Sequence, residues 1–156
     1  MLNELELTHQ DRKFLSQKFY KDSSLYEFLL ELGYKDLNNV HKDLCSFLDK
    51  QELFKLVLMP RYTFKSCICS VGISLYKLNK NPDMRILIYS DANTKAEGFL
   101  SSIKDHIEGK VLNSKFHLVY DWIPKNKSTK WNQSMIEIDR TTSFPEPSVD
   151  TAGIET

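Results

Sequence analysis

Apolar residues recur at helical spacing through the first third of the chain and gather into short continuous runs after it. Thr8-His9-Gln10-Asp11 has the spacing of a helix-starting capping box. Phe14, Leu15, Lys18 and Phe19 continue at helical spacing mixed with charge, so residues 1–20 read as helical. Lys21-Asp22-Ser23 breaks the pattern. Ser24-Leu25-Tyr26-Glu27 is a second capping box, and Leu25, Phe28, Leu29 and Leu32 form one apolar stripe. Gly33 is a fitting C-terminal stop. A third helix is predicted over Asn38 to Leu48, with Val40, Leu44, Phe47 and Leu48 facing inward. This front third reads as a helical lead-in packed on the edge of the remaining two thirds, or as a subdomain that faces a partner or DNA.

The pattern then changes. Phe54 to Met59 is a near-continuous apolar run, as expected of a core strand covered on both faces. A helix carrying Ile68, Val71, Leu75 and Leu78 on one side follows, with Gly72 available for close packing. Asn79-Lys80-Asn81-Pro82 ends it, because the residue before proline disfavours helix. Arg85 to Ser90 is a second strand. Thr94-Lys95-Ala96-Glu97 has capping-box spacing, and Ala96, Phe99, Leu100, Ile103 and Ile107 make a helical stripe that Gly109 closes. Strand, helix, strand, helix at this spacing predicts a right-handed parallel α/β unit. Ser90 and Asp91 fall at a strand's C-terminal end, where ligands bind in open parallel sheets. Asp91 reads either as a loop cap or as a nucleotide sensor.

Phe116 to Trp122 is mixed apolar and leads into a turn at Pro124. Met135 to Arg140 alternates like an edge strand or hairpin arm. Phe144-Pro145-Glu146-Pro147-Ser148 is a turn, and Val149 to Ile154 begins a further strand that the end of the chain leaves unsupported.

Composition narrows the classes. The chain has 156 residues, which fits one domain with a real core. Lys plus Arg equals Asp plus Glu at 21 each, so no global basic field draws in nucleic acid. The polar, basic stretch Lys125 to Lys130 is the local exception, a solvated loop or a contact to DNA phosphates. Cys45, Cys67 and Cys69 are an odd set without a pairing framework, which points to a reducing compartment. Cys67 and Cys69 stand two apart on a helix, so they do not preform a zinc site. The acidic N-terminus has no apolar signal core. No run approaches the roughly 18 apolar residues of a membrane span.

The candidate chemistry lies between the first apolar run and its helix. Strand, Pro-led turn, Lys65-Ser66 and helix come one after another in the order of a phosphate-binding P-loop. Loop and helix N–H groups there face the anion, the Lys reaches the outer phosphates and the Ser hydroxyl ligates Mg²⁺. The general pattern asks for Gly at positions 59 and 64, where this chain has Met59 and Phe64. A strand-turn-helix unit with an ordinary Lys-Ser pair at its helix start is the plainer reading of the same residues.

Met59-Pro60-Arg61, Lys65-Ser66, Pro82 and Arg85-Ile86-Leu87-Ile88, with Lys130-Trp131, Ile136 to Arg140 and Glu146-Pro147-Ser148 further on, resemble the large terminase subunit of tailed bacteriophages. The resemblance runs from about His41, a position where members often carry His, to the C-terminus. It implies an ATPase that drives viral DNA packaging, with a variant Walker A motif of the form Pro-Arg-x-x-x-Lys-Ser. Tyr62 departs from it, standing where close members usually carry Gly, and Phe64 is larger than usual. The family's second acidic motif and its nuclease carboxylates have no counterpart in this sequence. The chain therefore reads as an N-terminal fragment.

The expectation is an α/β fold, a partial parallel P-loop sheet with flanking helices (51–156) preceded by a helical segment (1–50). ATP would lie on Met59, Pro60, Arg61, Tyr62, Thr63, Phe64, Lys65, Ser66 and Cys67. Lys65 and Arg61 would act on its phosphates, with Mg²⁺ on Ser66. Gln51 is a candidate adenine contact, or else a solvated turn residue. The resemblance implies double-stranded viral DNA, portal protein and small terminase subunit as partners, a homo-oligomeric ring, and the cytoplasm of the bacterial host. The alternatives are another P-loop motor of helicase-like type, and a non-catalytic P-loop remnant serving as an interaction domain.

Overall fold

The computed structural model of the chain describes residues 8–15, 21–114, 116–119 and 130–154. Its order is α1 (His9–Leu15), α2 (Leu25–Glu31), α3 (Asn39–Asp49), a π-helical segment (Cys67–Gly72) continuing into α4 (Ile73–Lys80), β1 (Ile86–Ser90), α5 (Asn93–Ile107), α6 (Phe116–Val119), β2 (Met135–Ile136) and β3 (Val149–Gly153). It is a mixed α/β architecture.

The front helices start where the caps direct. Thr8 and Asp11 exchange hydrogen bonds at the head of α1, although Phe14 is exposed. Ser24 and Glu27 form a complete capping box on α2, and Leu25, Phe28, Leu29 and Leu32 are all buried. Gly33 comes next with φ of 100°, the left-handed stop that a residue without Cβ adopts at no steric cost. In α3, Leu44 and Leu48 are buried and Phe47 packs against the core. Val40 corrects the expected stripe. It is 59% exposed, because it belongs to the first turn of α3, whose N–H groups face the Asn38 cap. The expected helical pattern at Lys18 and Phe19 lies outside the described residues.

The sheet differs from expectation. It has three strands in the order β1-β3-β2. β1 runs parallel to β3, with Ile86 opposite Val149 and Ser90 opposite Gly153. β2 is antiparallel to β3, with Ile136 opposite Val149. The sheet is thus mixed rather than parallel throughout, and β3, expected to stand unsupported, is its central strand. Of the predicted arm Met135 to Arg140, only Met135-Ile136 forms an edge strand, and residues 137–140 join no ladder among the described residues. The predicted first strand, Phe54 to Met59, is absent from the sheet, and these residues form no ladder with any described residue. Lys55, Val57 and Met59 turn inward, while Phe54 (92% exposed), Leu56 (77%) and Leu58 (83%) face outward. An unbroken apolar run predicts cover on both faces, but here only one face is covered.

α5 covers one face of β1 and β3. Ala96, Leu100, Ile103 and Ile107 supply its buried stripe. Its start corrects the predicted capping box at Thr94. The helix begins two residues earlier, at Asn93 after an Ala92 N-cap, with no side-chain cap hydrogen bond, so Thr94 lies inside the first turn. Asp91 does not cap it either, since its carboxylate takes hydrogen bonds from Ser90 and Lys95. The N-cap position falls on Ala92, whose side chain has no hydrogen-bond acceptor. Gly153 approaches this start closely, since a Cβ on it would lie 2.3 Å from the Asn93 nitrogen. Trp131 anchors the return of the chain through a 3.0 Å hydrogen bond from its indole N–H to Glu108. One continuous core joins α2, α3, the helix 65–80, α5, Phe116 and the sheet.

Candidate phosphate-binding loop

Pro60 to Ser66 forms a tight turn that enters a helix at Lys65. Tyr62 has φ of 64° and Phe64 has φ of 52°. Both lie in the left-handed region, which costs about 1–2 kcal/mol for a residue with a Cβ. Glycine is the residue that takes this conformation at no such cost. Two of the three residues that depart from the phosphate-loop patterns, Tyr62 and Phe64, therefore hold the backbone shape for which glycine is used, while Met59 does not. Tyr62 is fully exposed, so no burial of its ring offsets this.

Helix geometry sets the donors. The Ile68 N–H is bonded to the Phe64 carbonyl at 2.9 Å, closing the first helical turn. The N–H groups of Lys65, Ser66 and Cys67 precede that bond and have no intrahelical acceptor. They carry the positive end of the helix dipole. A cavity of about 540 Å³ opens over the loop, lined by Pro60, Arg61, Tyr62, Thr63, Phe64, Lys65, Ser66 and Cys67. That size lies within the range of about 300–1,000 Å³ usual for small-ligand sites.

Of the nine expected site residues, eight line the cavity. Met59 does not, and its carbonyl accepts a 3.0 Å hydrogen bond from the Lys65 ammonium. Lys65 is therefore folded back on its own loop. Arg61 is exposed, and among the described residues its guanidinium has no ion pair. The Thr63 hydroxyl donates to the Pro60 carbonyl at 2.9 Å. Ser66 is exposed, with its hydroxyl making no cap bond. Gln51 is exposed in the loop after α3 and is not among the lining residues. Of the Lys125 to Lys130 stretch only Lys130 lies within the described residues, paired there with Glu137 at 2.9 Å.

The helix behind the loop is unusual. Cys67–Gly72 is π-helical, a geometry that recurs at functional sites. Ile68, Val71, Leu75 and Leu78 are buried along it as the spacing predicts. Gly72 lets Leu29 approach, since a Cβ there would lie 2.3 Å from the Leu29 Cδ2. Burial pushes the thiols of Cys67 and Cys69 up, in Cys69 against the pull of Lys65. Cys45 is pushed up to about 11. These are protonated, unactivated thiols near neutral pH.

One residue that sequence reasoning gave no role touches the loop. His41, buried in the first turn of α3, accepts a 3.0 Å bond at Nδ1 from the Asn38 N–H. An acceptor at Nδ1 leaves the proton of a neutral ring on Nε2. Nε2 stands 3.2 Å from the Thr63 carbonyl and donates to it. The ring also meets Phe64 edge to face, with centroids 5.8 Å apart. The signals in the sequence are the family position noted for His41 and a His at the third helical position, where a capping box has Glu or Gln.

The loop has two features that would suit an anion, the left-handed backbone at Tyr62 and Phe64 and the helix start at Lys65. Its fit to a resident metal is poorer. Among the described residues no group of three His, Cys, Asp or Glu side chains converges. A Mg²⁺ held by nucleotide phosphates needs only a hydroxyl such as that of Ser66 from the protein. No helix of the described residues is long and apolar enough to cross a membrane. Comparisons with protein-family models, with curated proteins and with solved structures give no match to this chain.

Proposed function

We propose that the chain is the ATP-binding part of a terminase large subunit, the motor ATPase that packages DNA into tailed bacteriophages. The reading rests on the resemblance of Met59-Pro60-Arg61 and Lys65-Ser66 to that family's Walker A motif. The observation that carries it is the left-handed backbone at Tyr62 and Phe64. A backbone outlier held in a loop with free N–H donors argues for a ligand task.

In this reading the N–H groups of Thr63 to Cys67 cradle the phosphates. Lys65 leaves the Met59 carbonyl to bind the β and γ phosphates. Ser66 holds the Mg²⁺ that arrives with ATP. Arg61, always charged and exposed, stabilises charge on the γ-phosphate. Phosphoryl transfer is mostly positioning and charge stabilisation, and it needs a carboxylate to place water and metal. This sequence presents no such acid, so binding is weak and hydrolysis slight or absent. The proposal carries with it viral double-stranded DNA, portal protein and small subunit as partners, a ring assembly and the host cytoplasm as its place of action.

A second reading has an observation of its own. Phe54, Leu56, Leu58, Leu87 and Tyr89 are exposed, which favours a non-catalytic P-loop remnant serving as an interaction domain. Calorimetric titration with Mg-ATP separates the two. Saturable binding by the wild type, lost in Lys65→Ala, is the expected result. No binding by a folded wild type overturns the nucleotide reading in favour of the second.

A further inference from the structure

We propose that His41 is a positioning residue for the loop, a latch that holds the Thr63 carbonyl and so keeps the Tyr62–Phe64 backbone in its left-handed form. In its consequence for nucleotide affinity, this inference rests on the reading of the loop as a phosphate site. The latch itself rests on geometry alone.

Three contacts on one buried side chain carry it. Nδ1 is engaged by the Asn38 N–H, which fixes the ring at the head of α3. Nε2 reaches across 22 positions of sequence to the Thr63 carbonyl. The ring edge packs on Phe64. The clamped carbonyl lies between the two left-handed residues. Turning either of them back to the ordinary right-handed side reorients the peptide units around Thr63. That movement would break the Nε2 bond and leave a buried imidazole donor unpaired, which is unfavourable. His41 thus opposes the relaxation that the strain at Tyr62 and Phe64 favours. The imidazole suits the task because one neutral ring accepts at one end and donates at the other.

Asparagine and glutamine divide the ring between them. The Asn amide reaches the position of Nδ1 and can serve the cap, but not Thr63. The Gln amide reaches the position of Nε2 and can donate to Thr63, but serves the cap poorly. The full chain and its His41→Asn and His41→Gln variants are compared by melting, by Mg-ATP titration and by the rate of tryptic cleavage at the Arg61–Tyr62 bond. His41→Asn is expected to melt close to wild type and to be cut faster at Arg61. It is also expected to bind Mg-ATP roughly five- to tenfold more weakly, the scale of one lost hydrogen bond. His41→Gln is expected to melt lower, yet to bind and resist cleavage like wild type.

A folded His41→Asn that binds and is cut as wild type overturns the latch. If His41→Asn does not fold, His41→Gln decides alone: loss of both binding and protease resistance at its own lower stability overturns the latch. If the wild type binds no Mg-ATP, the nucleotide reading fails and the tryptic rates still decide. Faster cleavage in His41→Asn reversed in His41→Gln sustains the latch, and equal rates overturn it.

Discussion

The unit β1–α5–β3 and the segment from Leu53 to Ser66 are both apolar stretches of the same chain, and they differ in how their backbones are partnered. In the first, Ile88, Leu100, Ile103 and Val149 are buried, and the strands satisfy their backbone groups against each other. In the second, Leu53, Phe54, Leu56 and Leu58 are exposed and the backbone joins no ladder. Side-chain hydrophobicity does not separate the two. Partnering of the backbone does. An extended run becomes a buried strand only where a neighbouring edge takes its N–H and C=O groups. The segment that lacks this support leads into the loop with the two left-handed residues and its open cavity. The buried core lies with the helices and the sheet, while Leu53, Phe54, Leu56 and Leu58 are open to solvent.

The sharpest test of that contrast uses two side chains of one kind. Phe28 is fully buried and edge-packed on Tyr76 and Phe116. Phe28→Ala is expected to cost about 3–5 kcal/mol in urea unfolding. Phe54→Ala is expected to stay within about 0.5 kcal/mol of wild type, as for an ordinary surface change. Equal losses would show that the segment is packed and the contrast false.

A second test titrates the packed side. His106 is buried, with Nε2 3.1 Å from the Tyr34 hydroxyl and Nδ1 3.4 Å from the Ser114 hydroxyl. Burial lowers its pKa to about 4, against the raising effect of Asp105. Above the ordinary value of 6.5 the imidazole is neutral in the folded and unfolded chain alike. Between 6.5 and 4 only the unfolded chain takes the proton, so stability is full above pH 6.5 and is lost as pH falls through this window. The loss is expected to reach a few kcal/mol, about 1.4 for each pKa unit. Urea midpoints measured from about pH 7 to 4 should fall less steeply in His106→Gln than in wild type. Parallel curves would mean that His106 is solvated.

The last test lies on the open side. Tyr62→Gly removes a left-handed residue with a Cβ and, the ring being fully exposed, gives up no packing. The gain of about 1–2 kcal/mol in backbone strain is partly offset by the greater freedom of glycine when unfolded. A net stabilisation of about 0.5–1 kcal/mol in the same urea assay is expected. A destabilised variant would show that the tyrosine makes contacts in solution.

Much of the packed side was legible in the sequence. The Ser24–Glu27 box, the Leu25-Phe28-Leu29-Leu32 stripe, the Ile68-Val71-Leu75-Leu78 stripe and the β1 run are local signals, each written within a few turns of chain. The sheet partners were not legible. Nothing local tells Ile86 that it faces Val149 rather than Val57, because pairing is settled by tertiary packing. Thr94 misled for a similar reason, since the start of α5 at Asn93 is settled where the helix meets β3. At the candidate site, the order of Lys65-Ser66 before a helix was readable. The missing glycines pointed toward a closed loop, yet Tyr62 and Phe64 adopt the glycine-like conformation themselves. The clamp from His41 crosses from one helix head to another segment and leaves no periodic trace.

The corner at Gly153 has a mechanical meaning. Where most strand ends meet a helix through a cushion of side chains, here backbone lies against backbone, within 2.3 Å of where a Cβ would be. Such a joint has no rotamers to yield. A push on the first turn of α5 passes directly into the middle strand, and from there to its neighbours on both sides. The corner therefore has room for glycine alone, and any side chain at position 153 would have to push α5 off the sheet.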